Sequence, residues 1–434
     1  MTEPAKASPH NPRQVFDVAI ERIGARGDGV ATVNGQPIYI PFTLAGEKLR
    51  ASVTGRRGEG LAGEALEITS PSAQRVVPPC RHFGVCGGCA LQHMAMPAYG
   101  AWKVEQIRQA LARRGIADVT LQPMLSVAPG ERRRAVLTAL RTKRGAIVGF
   151  NARATHVVID LIECPVSAPP LVRAIATWRK FIADHLPVGA QLQVIVNQLD
   201  NGLDVLLKAD RPLDLTLREA LAALGQAEDL ARISWQADGA VEPVMVARQP
   251  ILQLGAVQVE PPPGAFLQAS ARGEAAMRQA VSDWSGAAKR VVDFYAGIGS
   301  LSLHLAPISL VHCVEGDREA VAALDKAGRQ PAARRQISAE QRDLARNPVM
   351  PDELSSVDCA IFDPPRIGAA ELARAMAQSS VPTIIAGSCD PATFARDAAI
   401  LIEGGYRLVE VRPIDQFLWS PHSELIALFR RERL

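Results

Sequence analysis

Residues 291–306 read VVDFYAGIGSLSLHLA. Val291, Val292 and Phe294 make a short β-prone run, and Gly297 and Gly299 frame a turn where backbone can approach a ligand closely; LSLHLA then follows as a helix. LVHCVEGDREAVAALDKAG (310–328) repeats the unit, while VDCAIFDPPR (357–366), PTIIAGSCDP (382–391) and YRLVEVRPIDQF (406–417) supply further strands, with a helix after Cys389. Strands alternating with helices imply a doubly wound parallel sheet. We assign it to residues 263–434, an α/β domain of Rossmann type whose ligands sit at the carboxyl ends of the strands.

Upstream, the Pro-rich EPPPGAF (260–266) marks a boundary. Before it, strand-like runs such as AQLQVIVNQ (190–198) and GLDVLLKAD (202–210) alternate with helical LVRAIATWRKFIADHL (171–186) and DLTLREALAALG (214–225). Residues 93–115 also have helical periodicity. An α+β middle domain over residues 73–262 is the expectation. Residues 14–71 hold short alternating runs broken by glycine, with an Asn34-Gly35 hairpin signal. Four or five strands in so short a segment need full pairing, so a small β-barrel over residues 1–72 is predicted. Lys48, Arg50, Arg56 and Arg57 suit one edge of it to nucleic acid.

A chain of 434 residues suggests roughly two to four domains. With 48% hydrophobic and 21% charged residues it reads as soluble and globular, and it has no apolar run near the length of a membrane span. Its start, MTEPAKASPHNPRQ, lacks a secretion signal, so a cytoplasmic location without membrane attachment is expected. The net charge is only +3, yet residues 101–150 carry ten Lys or Arg against three acids, a local +7 that fits a polyanion. Seven cysteines without a signal argue for metal or catalytic use rather than a disulfide framework. In PPCRHFGVCGGCALQHM (78–94), Cys80, Cys86 and Cys89 are separated by five and two intervening residues, and Cys164 supplies a distant fourth. A bound metal is predicted, either structural zinc or a [4Fe-4S] cluster. Cys313 and Cys359 lie in apolar strands and read as core.

The chemistry concentrates in IIAGSCDPATFARD (384–397). An apolar strand ends at Gly387 and Cys389 sits on the turn into a helix that Asp390 and Pro391 start. A thiol at a helix N-terminus feels the positive end of the dipole, which is expected to lower its pKa and make it a nucleophile. Beside it, Gly297 and Gly299 form the ligand turn, with Asp293 ahead of it, and Glu315 is placed to accept hydrogen bonds from a ribose diol. Ser302 stands where a dinucleotide fold needs a third glycine, so S-adenosylmethionine is favoured over NAD or FAD. Asp343 and Asp363, the latter in DPPR, sit at strand ends on the same edge.

Together the GGC loop with Cys164, FLQ (266–268), the GxG turn, Glu315, DPPR, SCDPATFARD and the closing PHSE with Glu424 make the chain resemble the RNA uracil-5-methyltransferases, in particular the ribosomal-RNA branch with an N-terminal TRAM barrel and a [4Fe-4S] cluster. The resemblance spans nearly the whole chain. It implies that Cys80, Cys86, Cys89 and Cys164 hold the cluster and that Gln268, Tyr295, Ser300, Glu315, Asp343 and Asp363 line the cofactor site. It further implies a monomer that methylates a uridine of RNA, 23S ribosomal RNA before transfer RNA. Three positions depart from the family pattern: Ser270 where Asn is frequent, Ala296 in place of Cys, and Leu418-Trp419-Ser420 for a Pro-His-Thr run. These bear on which uridine is chosen.

C5 of uracil is a poor nucleophile. Cys389 adding at C6 would make it an enolate, and Glu424 would then remove the C5 proton, its apolar neighbours Leu425 and Ile426 raising its pKa. Asp363 would orient the base or cofactor, with His422 nearby. The rival readings are methylation of an exocyclic amine, which needs no thiol, a non-catalytic RNA-binding assembly factor, and an electron-transfer protein.

Overall fold

The computed structural model describes residues 14–334 and 336–431. The chain divides into two compact units. In the first, Val15–Ala19, Arg22–Ile23, Gly29–Val33, Gln36–Ile40, Lys48–Arg57 and Gly60–Ser70 form one six-stranded sheet. Val15–Ala19 pairs with Lys48–Arg57 and Arg22–Ile23 with Gly29–Val33, so the two ends of the sheet are successive pieces of one run. The Asn34-Gly35 turn has φ of 50° and 77°, the left-handed pair that a two-residue hairpin requires. Alternate residues of these strands, Val18, Ile38, Ile40, Leu49 and Ala51 among them, fill its core.

The second unit carries two large sheets and a small two-stranded one, Leu252–Leu254 with Val257–Val259. In the first of them, Gly145–Gly149, Arg134–Thr142, Gln191–Leu199, Gly202–Ala209, Arg232–Ala237 and Ala240–Val246 lie side by side in that order. Helices Pro169–His185 and Leu215–Ala227 cover one face through Leu171, Trp178, Ile182, Leu217 and Leu221. The single parallel pair, Gly202–Ala209 with Arg232–Ala237, is the one joined across a helix.

In the other large sheet the order is Ile337–Gln341, Leu310–Glu315, Arg290–Phe294, Cys359–Phe362, Thr383–Ser388, Glu424–Arg431, Tyr406–Asp415 and Thr120–Leu121, with Leu125–Ser126 also on Tyr406–Asp415. Both faces are buried, which is why the strands read as continuous apolar runs. Val291, Cys313, Cys359, Ile361 and Ile385 fill one core layer, and Val292, Phe294, Ala360, Phe362 and Ile384 the other, alternating as successive side chains of a strand must. Cys313 and Cys359 are fully buried, as their apolar setting predicted.

Three features differ from the sequence reading. Glu424–Arg431 runs antiparallel between Thr383–Ser388 and Tyr406–Asp415, so the sheet is not wholly parallel. Helix Met96–Ala112 and strand Thr120–Leu121, placed in the middle segment from sequence, belong with the C-terminal core: Ile107 and Leu111 pack beside Phe294, and Thr120–Leu121 adds to the sheet edge. After Gly299 there is no α-helix but a string of tight turns with a 3-10 segment at Leu303–Leu305. Pro307, which has no N–H, stops any longer helix from following.

Candidate active site

Strand order reverses between Arg290–Phe294 and Cys359–Phe362, where a crevice opens at the carboxyl ends of the strands. A cavity of about 1240 Å³ lies there, lined by Gln268, Tyr295, Gly297, Glu315, Asp363, Cys389 and Glu424.

Cys389 follows the buried strand Thr383–Ser388 and precedes helix Pro391–Glu403. Asp390 caps that helix, its carboxylate accepting from the Ala392 and Thr393 amides at 2.8 and 3.1 Å. Glu424 opens the neighbouring antiparallel strand. Register pairs Ser388 with Leu425, so one step further out sets Cys389 across from Glu424. Asp363 completes the group from the end of Cys359–Phe362, over Gly387, where a Cβ would stand 2.7 Å from its Oδ1. Gln268 donates to Asp363 Oδ2 at 2.7 Å and accepts from Gln416 Nε2 at 2.8 Å.

The electrostatics correct one expectation. Burial, and then the carboxyls of Glu424 and Asp363, push the Cys389 thiol up to about 11 rather than down, with Arg366 opposing. The helix end does not outweigh two acids and the loss of water. Burial raises Asp363 to about 6, the Gln268 hydrogen bond pulling the other way. Glu424 is raised well above the ordinary carboxylate range by burial and Asp363, against the pull of Lys103, as its apolar flanks implied. Its Oε1 is buried with no hydrogen-bond partner. His422 is pushed down to about 4 by burial and by Arg366 and Lys103, so its ring is neutral.

At the glycine turn, Gly297 (φ 56°) and Gly299 (φ 82°) are left-handed, and so is Tyr295 (φ 56°). Glu315 Oε2 accepts from the Gly297 amide at 2.8 Å, and Oε1 from the Gly316 and Asp317 amides at 2.7 and 2.9 Å. Three of its roughly four lone pairs are taken, leaving one for a ligand hydroxyl. A Cβ on Gly297 would meet nothing, so the turn is open on that side. Ser300 and Asp343 are not among the residues that line the cavity; Asp343 is exposed, its Oδ1 accepting from Ala345 and Arg346 amides. Asp293 is buried beneath the turn, raised to about 7 chiefly by desolvation.

Supporting residues escaped the sequence reading. Lys103, counted there as surface charge, is fully buried, its Nζ 2.5 Å from Asp415 Oδ1 and donating to the carbonyls of Phe417 and His422 at 3.3 and 2.6 Å. Arg133 is buried against Glu274. The basic stretch is thus less of a surface than its composition implied. Two of the four basic residues on the N-terminal sheet are likewise paired, Arg57 with Asp28 and Arg50 with Glu67. Ser270 caps helix Ala271–Ser285, accepting from the Gly273 amide at 2.9 Å.

Cys80, Cys86, Cys89 and Cys164 are all half-buried. Among the described residues no three His, Cys, Asp or Glu side chains are grouped to hold a metal ion. As placed, the thiols do not fit a single-ion centre such as zinc. Ser167 Oγ donates to Cys164 Sγ at 3.3 Å and the Gly88 amide to Cys86 Sγ at 3.4 Å.

An uncharacterized RNA methyltransferase of Brucella suis biovar 1 is 41% identical over 96% of this chain and 98% of its own. The 23S rRNA (uracil(1939)-C(5))-methyltransferase RlmD of Chromohalobacter salexigens is 32% identical over 96% of this chain and 89% of its own. The chain belongs to the RNA uracil-5-methyltransferase family. Residues 9–66 match the TRAM domain, within the segment read as a barrel. The Pyrococcus abyssi tRNA (uracil-54, C5)-methyltransferase, solved with S-adenosyl-L-homocysteine, shares the fold at a TM-score of 0.73 and 22% identity, covering 95% of this chain and 99% of its own. No helix among the described residues is long and apolar enough to cross a membrane.

Proposed function

We propose that this enzyme methylates C5 of a uridine in RNA, in 23S ribosomal RNA, through a covalent bond between Cys389 and C6 of the base. The carrying observation is the register that sets Cys389 across from Glu424 at the end of the cavity lined by the glycine turn. The Chromohalobacter relative supports the ribosomal substrate. Bound S-adenosylmethionine supplies an electrophilic sulfonium methyl. Gly297, Tyr295 and Gln268 would hold it with Glu315, whose remaining lone pair suits a ribose hydroxyl, and the cavity has room for it. Ser300 and Asp343 keep the same assignment by resemblance alone.

The Cys389 thiolate adds at C6 and turns C5 into the carbon of an enolate. Arg366 favours that thiolate. Once C5 carries the methyl, Glu424 takes the surplus C5 proton and the Cys389–C6 bond breaks, restoring the double bond and the thiolate. Asp363, held by Gln268, keeps its carboxyl beside both. A uridine must leave its stack to enter so enclosed a site, so an accessible loop is the substrate. The family resemblance supports a [4Fe-4S] cluster held by Cys80, Cys86, Cys89 and Cys164, whose four irons spread their thiolates wider than one zinc ion does. Iron and acid-labile sulfide in anaerobically purified protein test that part; zinc alone would overturn it.

The deciding experiment incubates wild-type and Cys389→Ala protein with 5-fluorouridine-substituted 23S and transfer-RNA transcripts. A denaturant-stable adduct is expected with wild type on 23S RNA and none with the variant. Turnover by Cys389→Ala without an adduct would favour methylation of an exocyclic amine instead.

A further inference from the structure

The cavity has a second wall, built by the other large sheet of the same unit. Leu206 and Lys208 from Gly202–Ala209, and Ser234 and Gln236 from Arg232–Ala237, line it, with Val241 and Pro243 from the edge strand. Parallel register puts Leu206 beside Ser234 and Lys208 beside Gln236, so the four form a patch on one face. Ser234 is 0% exposed, and its Oγ, like the Oε1 of Gln236, has no hydrogen-bond partner. Arg232, on the same strand, is by contrast fully engaged, bonded to Asp204 and to the Pro261 carbonyl. Buried polar atoms left unpaired cost stability, and a ligand in the cavity would complete both.

Size points the same way. A volume of about 1240 Å³ exceeds the roughly 300–1,000 Å³ of single-ligand pockets. Cofactor and target uridine meet at the Cys389 end, whereas Ser234 and Gln236 stand on the other large sheet, which carries none of the residues assigned to either. Pro243, Val241 and Pro262 give flat apolar surface for a ring, and Lys208 a cation for a phosphate.

We propose that this wall is a second nucleotide subsite, which takes an unstacked RNA base bearing an exocyclic amino group. The amino group donates to Gln236 Oε1, a neighbouring ring atom bonds to Ser234 Oγ, and the phosphate rests on Lys208. The inference rests on the RNA-methyltransferase reading and adds a specificity determinant to it: the enzyme selects its uridine partly by a neighbouring base.

Ser234→Ala/Gln236→Met removes both polar groups with little change of shape. Saturation-transfer NMR on protein saturated with S-adenosylhomocysteine, with adenosine, cytidine, guanosine and uridine 5′-monophosphates as probes, reads the subsite without turnover. An amino-bearing nucleotide is expected to bind wild type and to lose at least tenfold in affinity in the variant, while S-adenosylhomocysteine affinity holds and Tm does not fall. On the RNA that wild type methylates, KM should rise about tenfold with kcat within a factor of two. Loss of S-adenosylhomocysteine affinity would assign the wall to the cofactor, and equal nucleotide binding by both proteins would leave no subsite; either overturns the proposal. Failure of the methylation reading shows differently, as absence of the 5-fluorouridine adduct in wild type.

Discussion

In the proposed mechanism Cys389 and Glu424 both act in their deprotonated forms, and burial holds both back. With the thiol pushed up to about 11 and Glu424 raised as well, the active ionisation state is scarce at neutral pH. Single-turnover methylation should therefore climb with pH, about tenfold per pH unit where one group limits, across pH 6 to 9. Arg366→Met removes a cation that favours the thiolate, so its profile should lie at higher pH than that of wild type. A flat profile would show that neither group titrates on the path. Gly387 offers a second check at this scale. A Cβ there meets the Asp363 side chain at 2.7 to 3.0 Å. Gly387→Ala should displace Asp363 from Gln268, cost about 1–3 kcal/mol of stability and lower kcat about a hundredfold. Thermal unfolding and kcat together check it, and an unchanged kcat would remove Asp363 from the mechanism.

The segment 415–424 carries Glu424 to its place, and its anchor comes from far away in the chain. Lys103 on helix Met96–Ala112 binds Asp415 at the end of strand Tyr406–Asp415 and two carbonyls of the loop beyond it. Both partners are fully buried, so removing one strands the other charge. Lys103→Met should cost about 3–5 kcal/mol, while Lys103→Met/Asp415→Leu should recover most of that. Urea unfolding of both variants measures the coupling, and additive losses would deny the pair its role. This pair also marks where the chain's local pattern stops being informative. Apolar runs at Val291, Leu310, Cys359 and Thr383 read directly as buried strands and the capping after the strand pointed to Cys389, because period and capping are local, whereas Glu424 came from the family resemblance of PHSE. Lys103 looked like surface charge because its partner lies 312 residues on, beyond any local spacing. The sign of the Cys389 shift was hidden for the same reason: the acids that set it arrive on other strands. Nor does any periodicity separate the antiparallel Glu424–Arg431 from the parallel Thr383–Ser388 beside it, since both are buried on both faces.

Charge counted along the sequence overstates what an RNA meets on the whole molecule. Of the ten basic residues in 101–150, Lys103 and Arg133 are buried in ion pairs and Arg108 is paired with Glu105, whereas Lys143 and Arg144 stand exposed at the turn between strands Arg134–Thr142 and Gly145–Gly149. A cation acts on a phosphate backbone by releasing condensed counterions, and only a group that reaches the phosphate does so. If Lys143 and Arg144 each touch one phosphate of a single-stranded loop, Lys143→Gln/Arg144→Gln should flatten the plot of log K against log salt by about 1.5 and weaken all RNAs alike. Arg133→Lys, which keeps its charge buried, should leave that slope unchanged. Filter binding of the 23S transcript from 50 to 300 mM salt separates the two outcomes. An unchanged slope in the double variant would move the phosphate track off this hairpin and onto the exposed Lys48 and Arg56 of the N-terminal sheet.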